Sequence, residues 1–171
     1  MFNSSNGGFT EMRNVLIAVG IIVIIIAWYL FRPEKLFINQ SVNEELQTAS
    51  TDRSDSPRLI TEGSFHGVAH ETRGTAGIYE LPDGKRVLRL TSFETSNGPD
   101  VRVFLGAAQD ANDNDTVTSA GYVELGALKG NIGDQNYEIP SDITLADYHS
   151  VTIWCKRFGV NFGTAPLAAS N

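Results

Sequence analysis

The residue best able to do chemistry in this sequence is Cys155, the single cysteine of the chain, in the stretch VTIWCKRFGV between Val151 and Val160. A thiol acts as a nucleophile, redox group or ligand through its thiolate, so it needs a lowered pKa and access to solvent. If Val151 to Arg157 is a strand, Val151, Ile153, Cys155 and Arg157 share one face, and Thr152, Trp154 and Lys156 share the other. Cys155 then lies on an aliphatic face that ends in a cation. Aliphatic neighbours raise a thiol's pKa and an adjacent arginine lowers it. Spacing therefore leaves two readings open. One is a packed, inert thiol, since free cysteine is among the most buried residue types. The other is a redox centre at Cys155, tuned by Lys156 or Arg157 and lined by Trp154.

Other chemistries find less support. One cysteine excludes an intramolecular disulfide, a multi-cysteine metal site and the C-x-x-C motifs of dithiol couples and covalent c-type haem. His149 is on the same face as Cys155, but six residues of strand separate them by about 20 Å. His66 and His70, four apart, would be about 13 Å apart on a strand. No metal site is expected from local spacing. In QDANDNDT, Asp110, Asn112 and Asn114 match the first three ligands of an EF-hand loop. The loop then requires Gly where Asp115 stands and Glu where Gly121 stands, so an acidic solvated turn is the expectation. G-x-S-x-G, H-E-x-x-H and nucleotide-binding glycine loops do not occur, and no triad stands out. Turnover is not expected.

These residues must be positioned by the rest of the chain, which begins with an apolar run. VLIAVGIIVIIIAWYLF, Val15 to Phe31, holds 17 residues without a charge. As a helix it covers about 26 Å, the short end of a bilayer core. Trp28 and Tyr29 fall where aromatic rings prefer the headgroup level. The run ends in bulky residues and Arg32-Pro33 rather than an A-x-A-like site, which favours an uncleaved anchor over a signal peptide. Flanking charge leans by one residue toward a cytoplasmic domain, with Arg13 on one side and Arg32 and Lys35 on the other. Residues 1–14 read as a short tail, 15–31 as a transmembrane anchor and 32–60 as a flexible tether. The tether is too polar to bury enough apolar area to offset chain entropy. Ile38, Val42 and Leu46, four apart, carry a weak signal for one or two amphipathic helical turns.

From residue 61 to 171 the periodicity becomes two, as in KRVLRL, DVRVFLG, GYVELGAL and SVTIWC, with turns at Pro82-Asp83-Gly84, Asn97-Gly98-Pro99 and Gly133-Asp134. This predicts an all-β domain, an antiparallel β-sandwich or barrel of roughly seven to ten strands, behind one N-terminal transmembrane helix. Net charge is −7, from 13 Lys+Arg against 20 Asp+Glu, which argues against nucleic acid and against adsorption to anionic lipid.

GSFHGVAHETRGTAGIYE, VLRLTSFETSNGPDVRVFLG, GYVELGALKGNIGDQNYEIP and YHSVTIWCKRFGVNFGTAPL, between Gly63 and Leu167, resemble the DM-thirteen domain in family order. That family is proposed to act in electron transfer. The resemblance implies that Cys155 is the signature cysteine, either a naked redox thiol or the attachment point of a prosthetic group such as haem. It also implies a membrane-anchored, extracytoplasmic domain of bacterial type. A redox partner would then be another protein, since no second redox domain is visible. A non-catalytic binding or adhesion module of the cell envelope is the competing reading, because a sandwich hosts many functions.

Overall fold

The computed structural model describes residues 7–31, 38–46 and 56–169. The apolar run forms a helix, α1, Gly7–Phe31. Its stretch Glu11–Tyr29 is long and apolar enough to cross a membrane, and none of it is buried against the rest of the chain. A core helix of this composition would hide one face, so α1 leaves its apolar surface to an environment outside this chain.

The domain is a two-sheet sandwich. One sheet contains β1 (Ser41–Asn43), β8 (Ile132–Ile139), β5 (Arg86–Glu94), β4 (Arg73–Glu80), β2 (Arg58–Ser64) and β11 (Ala168–Ala169), in that spatial order. The other contains β3 (His66–Gly67), β10 (Val160–Pro166), β9 (Ser150–Cys155), β6 (Val101–Gly106) and β7 (Tyr122–Ala127). All pairings are antiparallel except that of β1 with β8. The alternation read in the sequence is the alternation of the core. Ile78, Leu88, Leu90 and Tyr137 from the first sheet meet Val103, Leu105, Val151 and Ile153 from the second in one buried cluster. Burying a large aliphatic side chain contributes about 1.5–3 kcal/mol, and this cluster gives the sandwich its main stabilisation.

On the outer face of the second sheet a smaller cluster forms from Phe104, Ala111, Val117 and Trp154. It is covered by a helix that the β periodicity did not suggest, α2, Asn114–Ala120. Its start is fixed locally, because the Asp113 carboxylate accepts a hydrogen bond from the Thr116 N–H at 2.6 Å. Such a cap satisfies one of the backbone donors that every helix leaves open. The expected acidic solvated turn is thus partly a capped helix.

The stretch expected to be a flexible tether, residues 32–60, differs as well. Ser41–Asn43 joins the edge of β8 as a parallel strand, and β2 already starts at Arg58. The two turns of helix considered for Ile38, Val42 and Leu46 do not form. Strand pairing satisfies the backbone of this segment, and side chains from distant parts of the chain hold it. The Glu44 carboxylate accepts hydrogen bonds from Lys129 Nζ at 2.8 Å and from the Asn136 N–H at 2.8 Å. Arg89 donates to the Glu44 carbonyl at 2.8 Å, and Asn131 Oδ1 accepts from the Gln40 N–H at 2.7 Å. The remaining tether positions, 32–37 and 47–55, lie outside the described residues.

Candidate functional site

β9 is buried along its whole length. Its neighbours are β6 and β10, with Cys155 opposite Val101 on one side and Val160 on the other. Cys155 shares the central core with Val101, Ile153 and Phe162, and is 0% exposed. The sequence placed the sulfur correctly on the aliphatic face with Val151 and Ile153.

The three residues expected to line it do not converge there. Trp154 points to the opposite face and packs in the outer cluster, with its ring centroid 6.1 Å from that of Phe104. Tyr122 stacks on the far side of Phe104 at 4.2 Å, so the outer face carries a short aromatic column. Lys156 lies past the end of the strand and donates to Glu124 at 3.0 Å. The same carboxylate accepts from Arg102, which also holds Asp100 at 2.5 Å. Arg157 was expected to cap the Cys155 face. The strand ends at Cys155, and Lys156 to Gly159 form the turn into β10, so Arg157 is carried out to solvent. Gly159 closes that turn with φ of 63°, a backbone setting natural to glycine, and its N–H donates to the Cys155 carbonyl at 2.9 Å.

At the end of the sandwich near Cys155 the surface forms an open cleft. Val101, the cross-strand partner of Cys155, is 8% exposed and forms part of the wall of this cleft of about 480 Å³. Ile38 to Gln40 of the docked segment, the Ser96 to Asp100 loop, Arg102 and Leu128 line this cleft. Asn39 Oδ1 accepts from Asn97 and Asn131, at 3.0 and 3.1 Å, which ties the segment to the loop. Sequence periodicity gave no sign of this cleft, because its walls come from three remote stretches.

A prosthetic group such as haem would need its iron at the sulfur and a slot for the macrocycle beside it. Cys155 is enclosed in the aliphatic core and is not part of the cleft wall, which contains neither histidine nor methionine. The residues present do not fit a haem in this conformation. No group of three or more His, Cys, Asp or Glu able to hold a metal ion occurs among the described residues.

The histidines take other partners. His66 Nε2 lies 2.8 Å from Asp110 Oδ1, and Asn112 donates to the other Asp110 oxygen at 3.0 Å. Burial would raise the Asp110 pKa, but these hydrogen bonds and the nearby His66 outweigh it and hold the carboxyl below its ordinary value. His70 packs against the Phe162 ring with centroids 4.0 Å apart. Neither arrangement includes a nucleophile or a cleft.

The comparison with curated proteins gave no match, and the comparison with solved structures gave none. The family model described as electron transfer DM13 matches residues 64–167, which includes every strand from β3 to β10 and Cys155. That span is more than half of the chain and most of the sandwich, and the chain therefore belongs to the electron transfer DM13 family.

Proposed function

We propose that this protein is a membrane-tethered, extracytoplasmic electron-transfer module whose redox group is Cys155, kept closed in the resting fold and reached by opening of the sandwich end. The observation carrying this reading is the position of the only thiol in an electron-transfer family domain. It is the last residue of its strand, and its cross-strand partner Val101 lines an open cleft. A reactive thiol sealed until a local opening gives selectivity, since local openings cost less than unfolding. In the open form the thiol is oxidised by two electrons. With a peroxide the balance is thiol plus peroxide giving sulfenic acid plus water; with a partner protein's disulfide, the Cys155 thiolate attacks one sulfur, the partner's S–S bond breaks, and a mixed disulfide forms as the partner's other sulfur leaves as a thiol. The apolar helix supports attachment to a membrane, and the family resemblance favours a domain outside the cytoplasm with a redox partner protein at the same membrane.

The test is to expose the full chain in lipid vesicles to hydrogen peroxide with a sulfenic-acid trap and measure the mass of the Cys155 peptide. The expected result is a trap adduct on Cys155 in the folded protein, absent in Cys155→Ala. An adduct that forms only after denaturation contradicts the reading. The burial of Cys155 favours one alternative, a non-catalytic envelope binding module in which the thiol only packs. Cys155→Ala would then leave its binding intact.

A further inference from the structure

We infer that the Cys155 end of the sandwich faces the lipid bilayer and that Phe158, at the tip of the β9–β10 turn, enters the lipid headgroup region. This rests on the membrane-anchor reading of α1 and is independent of any redox role for Cys155.

Strand registers place several features at one end of the domain. Val101 starts β6 opposite Cys155, and Val160 starts β10 opposite the same residue. Ser41, the first residue of β1, pairs with Ile132, which lies opposite Glu94 at the end of β5. The chain arriving from α1 therefore reaches the domain at the end that carries Cys155. The β4–β5 turn, with Asp83, is at the other end, beyond the pairing of Glu80 with Arg86. Nine residues of β5 separate the two ends by about 30 Å.

Docking of β1 turns this shared end into a constraint on distance. A free tether of about 29 residues would hold the domain at roughly 30 Å with wide latitude. The docked segment is already attached at Gln40, through Asn131 and the Ile132 N–H. Only seven residue steps separate Phe31, where α1 ends, from Ile38. They can reach at most about 25 Å, less than the length of the sandwich. The Cys155 end is therefore held close to the membrane while β1 is docked.

The side chains at this end suit that neighbour. Phe158 is 67% exposed and Ile38 is 64% exposed, and the one other large hydrophobic side chain exposed in the described part of the domain, Tyr122, lies at the opposite end, beside Gly106. Phe158 follows Lys156 and Arg157 in the turn, an aromatic tip beside cations, the composition that favours the interface between water and acyl chains. The net charge of −7 opposes spontaneous adsorption. Tethering removes the need for it, because a short connection supplies a high local concentration of bilayer.

The test uses the full chain in vesicles of phosphatidylcholine and phosphatidylglycerol containing headgroup nitroxide lipid. An environment-sensitive fluorophore is attached at Phe158→Cys, Arg157→Cys or Asp83→Cys in a Cys155→Ala background, and alkaline carbonate extraction is run alongside. The expected result is quenching at 158 and 157 at least about twofold stronger than at 83, because interfacial residues lie within the headgroup layer. Retention of the chain in carbonate with equal quenching at all three sites overturns the apposition and leaves the anchor standing. Release of the chain by carbonate overturns the anchor reading and the apposition with it.

Discussion

At position 155 a serine would place a hydroxyl among Val101, Ile153 and Phe162, where the thiol is fully enclosed. A buried hydroxyl without a partner costs about 1–3 kcal/mol, whereas alanine only removes a small, weakly polar atom. Cys155→Ser is therefore expected to lower stability more than Cys155→Ala, by chemical denaturation, although both remove the thiol. Glu44 supplies a second residue-scale test. Burial raises its pKa, but hydrogen bonds from Lys129 and Asn136 and the nearby Lys129 and Arg89 charges prevail and lower it. A carboxyl whose folded pKa is depressed contributes stability above its ordinary value and loses it as pH falls through the folded value. The docked segment is thus held at neutral pH and loosens in acid below the ordinary glutamate range. At constant neutral pH, Glu44→Gln should raise hydrogen exchange at residues 41–46 and leave the β9 core unchanged.

Among the elements, β1 was the least legible. Its sequence is polar and reads as disordered, and the groups that hold it come from residues such as Arg89, Lys129, Asn131 and Asn136, far away in the chain. No local pattern encodes a partner that distant. Glycines make room for it: a Cβ on Gly130 would lie 2.4 Å from the Gln40 carbonyl oxygen. Gly130→Ala should consequently displace residues 38–43 while the sandwich persists, seen as faster protease cleavage before Arg58 with little change in melting temperature. The strands of the core, by contrast, were readable, because alternation such as that of Val101, Val103 and Leu105 is the burial pattern itself. Arg157 shows the limit of the same rule. Period-two reasoning extended β9 two residues too far, and the Phe158-Gly159 turn that stops it is a signal the sequence does carry.

For the molecule as a whole, alternation and turn signals made the sandwich legible, and the family match covers residues 64–167 of the same stretch. The depth of Cys155 was not legible, because alternation gives a side chain's face and says nothing of what closes over the end of the sheet. Stability should reside in the shared core: Leu90→Ala, at a fully buried site, is expected to cost about 2–5 kcal/mol in denaturant unfolding. The central claim is that Cys155 is reached by a local opening at the sandwich end rather than by global unfolding. The direct measurement is the alkylation rate of Cys155 in the native full chain, converted to an opening free energy and compared with the unfolding free energy of the same protein. An opening free energy clearly below that of unfolding, and lowered further by Gly130→Ala, is the predicted result. Equality of the two, with no effect of Gly130→Ala, would contradict the account and leave Cys155 as a packing residue.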